Sequence, residues 1–360
     1  MKRTVITFIY IATILFTTGC AKSEAPSAND ANKRFFEAWL KVNNINVKPS
    51  GLGIYVLDEK EGTGREVTKD GFILMDYVTT DLDGNITSYT GVKTAQQLGE
   101  YVKSEYYGPQ FINSIEGGLY ARVADMILGM KVGGSKKAIV PSWLMSYKQY
   151  DSEAKYLAED PEQEALIYDV TIRDFTTDMN KWEIDSIGQF FANKNILIEG
   201  KPALDVFMNK YNVQMQPQDS VKYGFYYKQL REPADTAKFP LDTTIYINYT
   251  GMTLDGRVFD TTIEKTAKDY FIYSEDKEYK PVQINWPETT EEDYTSITMG
   301  SDDSDVISGF ALTLWQMKAM EKGIGVFYSP LGYSYNGNGN SIPGYSPLIF
   351  IIDIVENPNK

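Results

Sequence analysis

The chain has no histidine and a single cysteine, Cys20, among its 360 residues. Without histidine there is no imidazole base and no imidazole metal ligand. With one cysteine there is no disulfide within the chain. Positive charge is also scarce: 35 Lys and Arg stand against 49 Asp and Glu, for a net charge of −14. Such a chain repels phosphate backbones, which argues against a nucleic-acid partner. The only long apolar run, Val5 to Phe16, is about 12 residues, too short to span a bilayer. What is present in excess is tyrosine, 26 residues, within 13% aromatics, a composition that favours β-rich structure. Hydrophobic residues at 42% and charged residues at 23% are globular values, and the length suits two ordinary domains.

Lys2-Arg3, the apolar run and then Thr18-Gly19-Cys20 resemble a bacterial lipoprotein signal. Thr17 departs from the usual motif, which carries an aliphatic residue there. The resemblance implies a signal peptide at 1–19, lipidation of Cys20 and a lipid anchor in a membrane of the bacterial cell envelope, on the periplasmic face or the cell surface. An ordinary secreted protein with an incidental Cys20 is the alternative. Residues 20–31 are small and polar and read as a tether. Phe35, Phe36, Trp39 and Leu40 then recur at helical spacing.

The chain repeats itself. Trp39-Leu40, Asn44-Ile45, Val47 and Pro49 match Phe207-Met208, Asn212-Val213, Met215 and Pro217 at a spacing of 168. Gly53-Ile54-Tyr55 matches Gly224-Phe225-Tyr226 at 171, and Tyr77, Asp83 and Gly84 match Tyr249, Asp255 and Gly256 at 172. So long a period means duplicated domains, not a solenoid. In each copy a β-branched and aromatic run (72–77, 244–249) leads into an Asp-Gly hairpin turn. Ala165 to Ile172 and Leu348 to Ile354 are the expected closing strands, and helix is expected over Leu119–Met130 and Phe310–Met320. One helix on an antiparallel sheet is an α+β layer arrangement.

Tyr249-Thr250-Gly251-Met252, Asp255-Gly256-Arg257-Val258-Phe259-Asp260, Val306-Ile307-Ser308-Gly309-Phe310, Ile342-Pro343 and Leu348-Ile349-Phe350, in that order, resemble the FKBP-type peptidyl-prolyl isomerases. The resemblance covers about 222–357 and needs no cofactor and no ionised catalyst. It implies an apolar cup with Tyr249, Phe259 and Asp260 on one wall, and Val306 and Ile307 on the loop into the helix. Phe310 would form the floor, where many members have tryptophan. Tyr333 would follow the proline-led loop, with Ile342 and Phe350 on the remaining side. Asp260 would hydrogen-bond Tyr249, and the Ile342 N–H would meet the substrate carbonyl. Ser329-Pro330-Leu331-Gly332-Tyr333 is one residue shorter than the common loop, and Ser341 is polar where an aliphatic residue is frequent. Residues 264–294 read as an acidic, aromatic insertion, either a solvated decoration or a flap that grips clients.

In the first copy Thr87-Ser88 stand where the second has Phe259-Asp260, so its cup is expected to be lost while its fold is kept. The expected organisation is therefore a degenerate FKBP-like domain at 32–176, a helical connector at 177–221 and an isomerase domain at 222–360. Each domain would be a twisted antiparallel sheet wrapped on a short helix and preceded by a helical segment. The expected partners are proline-containing unfolded or exported polypeptides, with a homodimer possible through the helices around Phe35 and Phe190. The rival is a non-catalytic envelope binding lipoprotein on the same duplicated scaffold. Asp81 to Asn85 hints at a calcium loop but lacks the remaining ligand spacing, so a hairpin turn is the reading.

Overall fold

A computed structural model describes residues 28–113, 119–159, 163–192, 195–198, 200–211, 221–287 and 294–358. The expected signal segment and Cys20 lie outside them. The expected tether overlaps a helix, Ala28–Val42, which starts before the Phe35 pattern does. Its buried stripe is Phe36 and Leu40, while Phe35 is 64% exposed. No helix among the described residues is long and apolar enough to cross a membrane.

The architecture is α+β: helices packed on antiparallel sheets. The first sheet has the order Tyr55–Lys60, Ser135–Val140, Leu166–Thr176, Phe72–Thr80, Ile86–Tyr89, with Gln110–Asn113 also paired to Phe72–Thr80. The second follows the same path: Phe225–Arg231, Lys322–Phe327, Leu348–Val355, Thr244–Thr253, with Val258–Thr261 and Val282–Asn285 both paired to Thr244–Thr253. Two short strands, Thr298–Met299 and Ser304–Asp305, extend it beyond Val282–Asn285.

The repeat extends to single hydrogen bonds. Tyr77 N donates to Thr90 Oγ1 at 3.0 Å, and Tyr249 N donates to Thr262 Oγ1 at 2.9 Å. Asp81 N reaches Asn85 O at 2.9 Å, and Thr253 N reaches Arg257 O at 3.0 Å. Gly84 and Gly256 both turn at positive φ, 89° and 81°, which a Cβ would oppose. Each hairpin carries a bulge at the same place, between Thr79 and Thr80 and between Gly251 and Met252.

Within the stretch 264–294, residues 264–285 are not peculiar to the second half. Helix Glu264–Asp269 matches helix Val92–Leu98, and Val282–Asn285 is a sheet strand matching Gln110–Asn113. Tyr273 and Tyr279 pair at 5.4 Å as Tyr101 and Tyr107 do. The sequence carries the match as well: at the same spacing of 172, Lys93-Thr94-Ala95, Tyr101, Tyr107, Pro109 and Ile112-Asn113 are identical to Lys265-Thr266-Ala267, Tyr273, Tyr279, Pro281 and Ile284-Asn285. The two helices are also shorter than expected, Ala121–Ile127 and Ser308–Gln316. Gly129 at φ 81° stops the first; a turn from Lys318 to Glu321 follows the second.

The second sheet is buried on both faces. Along Leu348–Val355, Leu348, Phe350, Ile352 and Ile354 join one core with Tyr249 and Phe310. Ile349 and Ile351 join another with Ile187, Phe190, Phe191 and Phe207, from helices Met179–Phe191 and Ala203–Tyr211. An apolar run of this kind is what a doubly covered strand requires. In the first sheet, Leu166–Thr176 alternates and leaves Asp169 and Arg173 exposed.

Candidate functional site

The second sheet's first core gathers the residues singled out from sequence. Tyr249, Phe310, Ile342 and Phe350 are buried there, with Phe259, Val306, Ile307 and Tyr333 half-buried against them. Phe350 is the hub. Its ring lies 5.1 Å from Phe310, 5.6 Å from Phe259 and 6.2 Å from Tyr249, and Phe310 meets Tyr249 edge-on at 5.5 Å. Edge-to-face contacts of this kind add to the burial of the rings.

Asp260 reaches this apolar group because its strand, Val258–Thr261, pairs across the bulge opposite Gly251. The Tyr249 hydroxyl donates to Asp260 Oδ2 at 2.5 Å. Burial, then the charge of Asp260, push the Tyr249 phenol well above its usual range, so it stays protonated. Neither group is placed to move a proton; together they fix one wall.

Two further residues complete the wall, and sequence reasoning did not place them in the site. Lys277 forms an ion pair with Asp260. It lies 17 residues along the chain, in the stretch read as an insertion, so nothing in local spacing linked them. Gly251 is the second: a Cβ there would meet the Phe259 ring at 2.7 Å and the Phe350 ring at 2.8 Å. The glycine lets both rings close over the strand. The corresponding residue of the first half is Thr79, whose hydroxyl pairs with that of Thr87 at 2.8 Å where the Phe259 ring would lie.

One expectation needs correction. The Ile342 N–H is not free for a substrate: it donates to Asn338 O at 3.2 Å, and Asn338 N donates back to Ile342 O at 2.8 Å. This small bridge closes the loop tip, so Ile342 offers its side chain and not its amide. The Ile307 N–H, at the start of helix Ser308–Gln316, has no hydrogen-bond partner among the described residues. Helix starts leave such amides without intrahelical partners.

The floor itself is packed: Phe310 and Ile342 are each 2% exposed. Cavities open elsewhere. One of 320 Å³ lies behind the Ile342 loop, lined by residues of both halves including Phe111, Trp182 and Tyr345. Another, of 270 Å³, lies in the first half beside Trp143, Tyr120 and Tyr147. The site is therefore an apolar cluster with a packed floor and a half-buried rim. Among the described residues no group of three or more acidic or cysteine side chains could hold a metal. Asp81 instead accepts the Asp83 and Asn85 amides at 2.9 and 2.8 Å, as a hairpin turn requires.

No family model and no curated protein matches the chain. Among solved structures it is similar to the three FKBP domains of wheat FKBP73, with 14% identity over 84% of this chain and 94% of that one and a TM-score of 0.26. It is similar to a peptidyl-prolyl cis-trans isomerase of Pseudomonas syringae pv. tomato, with 16% identity over 42% of this chain and 97% of that one and a TM-score of 0.29. It is also similar to FkpA from Escherichia coli, with 20% identity over 41% of this chain and 59% of that one and a TM-score of 0.27. The first of these is named for its FKBP domains and the second as a peptidyl-prolyl cis-trans isomerase. The scores are low, and the functional reading rests on the chain's own residues.

Proposed function

We propose that the face formed by Tyr249, Phe259, Phe310 and Phe350 catalyses cis–trans isomerisation of X-Pro bonds in exported polypeptides. The observation that carries this reading is the Tyr249–Asp260 hydrogen bond set inside a cluster of aromatic rings with a half-buried apolar rim. An X-Pro amide must lose resonance to rotate, over a barrier of roughly 18–20 kcal/mol. The planar amide is more polar than the twisted one. An apolar face that displaces water raises the planar state relative to the twisted state. On this reading Phe350 and Phe310 receive the proline ring, while Phe259, Val306, Ile307 and Tyr333 cover it. The Ile307 amide, unpaired among the described residues, rather than that of Ile342, donates to the carbonyl. Asp260 and Lys277 hold Tyr249 in place. No cofactor takes part.

The first half, 32–176, lacks the Phe259 and Asp260 equivalents and holds clients or partners without catalysis. The chain is tethered to a membrane of the cell envelope through a lipid on Cys20, with 1–19 removed. Incorporation of a labelled fatty acid, lost in Cys20→Ser, tests the anchor; an unlabelled mature protein would exclude it.

A protease-coupled assay with an X-Pro peptide tests the catalytic claim, using the whole protein with Tyr249→Ala and Asp260→Ala as controls. Turnover above the uncatalysed rate that falls in both variants is the expected result. Turnover no faster than background, or unchanged by both substitutions, would end the catalytic reading. The near-complete burial of Phe310 and Ile342 favours a second reading, a non-catalytic peptide-binding scaffold. Binding of the same peptide without acceleration would identify it.

A further inference from the structure

The loop that supplies Ile342 is held from outside its own sheet. Tyr106, in the first half, donates its backbone N–H to Asn340 O at 2.8 Å. Its ring lies 4.8 Å from the guanidinium of Arg257, and Arg257 Nη1 donates to Ser341 O at 2.6 Å. Tyr106 thus bears on both carbonyls that immediately precede Ile342, on one directly and on the other through Arg257. Asn340 Nδ2 adds a bond to Glu105 Oε1 at 3.2 Å. Beyond Ile342, the Tyr345 ring packs edge-on against Phe72 at 5.3 Å and Phe111 at 5.9 Å, both in first-sheet strands.

Arg257 is also held within its own hairpin, by Asp255 Oδ2 at 3.0 Å and Thr253 Oγ1 at 3.3 Å, so Tyr106 shares its placement. Within the loop, Ile342 is bridged only to Asn338, four residues back. That closes the tip but does not fix it against the sheet. Apolar side chains can press on Phe310 and Phe350 only if the loop backbone is held against rotation, and a tip rich in Gly337 and Gly339 is costly to order. The bonds from Tyr106 and Arg257 supply that restraint before any substrate arrives, which is preorganisation of a binding wall.

We infer that Tyr106 is a positioning residue for the second half's site: it holds the Ile342 wall in place across the boundary between the two halves. The first half then sets the geometry of the face that receives the proline. The role in turnover rests on the isomerase reading; the restraint on the loop does not.

The test uses the whole protein with Tyr106→Ala and Tyr106→Phe, read two ways. Hydrogen–deuterium exchange over residues 337–346 reports the restraint whether or not the protein is an isomerase, with the Ile342 amide as the direct probe. Tyr106→Ala should speed exchange there by about fivefold to tenfold, the size expected for losing one desolvated cation–π contact, and leave strand Leu348–Val355 unchanged. Tyr106→Phe keeps the ring over Arg257 and should restore wild-type exchange. In the peptide assay, Tyr106→Ala should raise KM by a similar factor with kcat within about twofold, as loss of a binding wall predicts. Unchanged loop exchange in Tyr106→Ala, or Tyr106→Phe behaving like alanine, would overturn the inference. A wild type without isomerase activity but with the exchange pattern above would remove the isomerase reading and keep the brace.

Discussion

The two sheets follow one path, with the same bulge and the same hairpin bonds, yet they are finished differently. In the second, Phe259 and Asp260 face Gly251 across the bulge and the rings of Phe310 and Phe350 complete an apolar face. In the first, Thr87 and Ser88 face Thr79, two hydroxyls bond each other, and Val123 stands on the helix that matches Ser308–Gln316. The reverse faces differ too. Ile351 is buried under the connector helices, while Asp169 in the matching strand is exposed. Backbone course thus survives replacement of nearly every side chain that gives a sheet its chemistry, because main-chain pairing and turn geometry depend on few residues.

The largest effect should come from the hub. Phe350→Ala removes a ring that touches four others and should destabilise the second half by about 3–5 kcal/mol; chemical denaturation measures it. An equal loss from Tyr168→Ala, its counterpart in the first half, would show that the two cores share a hub design. Next is the acid. Asp260→Ala strands the Tyr249 hydroxyl and Lys277, and the loss of a charge-assisted bond, about 1.5–3 kcal/mol, should cut turnover by roughly tenfold or more. Ser88→Ala should leave turnover unchanged; a comparable fall would mean that both hairpins serve the reaction.

A pH experiment sharpens the contrast between the two faces of the second sheet. Glu183, fully buried on helix Met179–Phe191, accepts from Ser329 N at 2.5 Å and Ser329 Oγ at 2.7 Å. Burial raises its carboxyl above the ordinary 4.5 despite those bonds. The native state therefore holds this proton more tightly than the unfolded one. Its contribution to stability is full below the unfolded value and is lost as pH rises through the raised native value. Denaturation midpoints should fall across that window in the wild type more than in Glu183→Gln, and parallel curves would contradict it. The smallest effect belongs to Lys277→Ala. That pair is 38% and 39% exposed, so its loss should cost under about 1 kcal/mol and change turnover by no more than a few-fold.

Much of the fold was legible in sequence. β-Branched and aromatic runs marked the strands at 72 and 244, Asp-Gly marked both turns, and the apolar run at 348–354 marked the closing strand; that it is covered on both faces is seen only in the fold. That Asp260 has a partner was legible as well, since an acid inside an apolar motif needs one, and the family resemblance pointed to Tyr249. Less of the site's frame was. The repeat over 264–281 was legible at the same spacing of 172, in Lys265-Thr266-Ala267, Tyr273, Tyr279 and Pro281, but its acids and aromatics read as a separate insertion. The Ile342 amide was assigned to a substrate because its bond to Asn338 depends on loop closure, which no local pattern encodes.

The sequence by itself determined where the main strands lie, the duplicated turns and the apolar character of the site, because each follows from local residue pattern and turn chemistry. Only the tertiary structure decided that Lys277 meets Asp260, that Glu183 caps the Ser329 turn and that Tyr106 holds the loop before Ile342. Those contacts join residues far apart in the chain. Their geometry is set by how sheets and connectors pack, and packing is a property of the whole molecule and not of any segment.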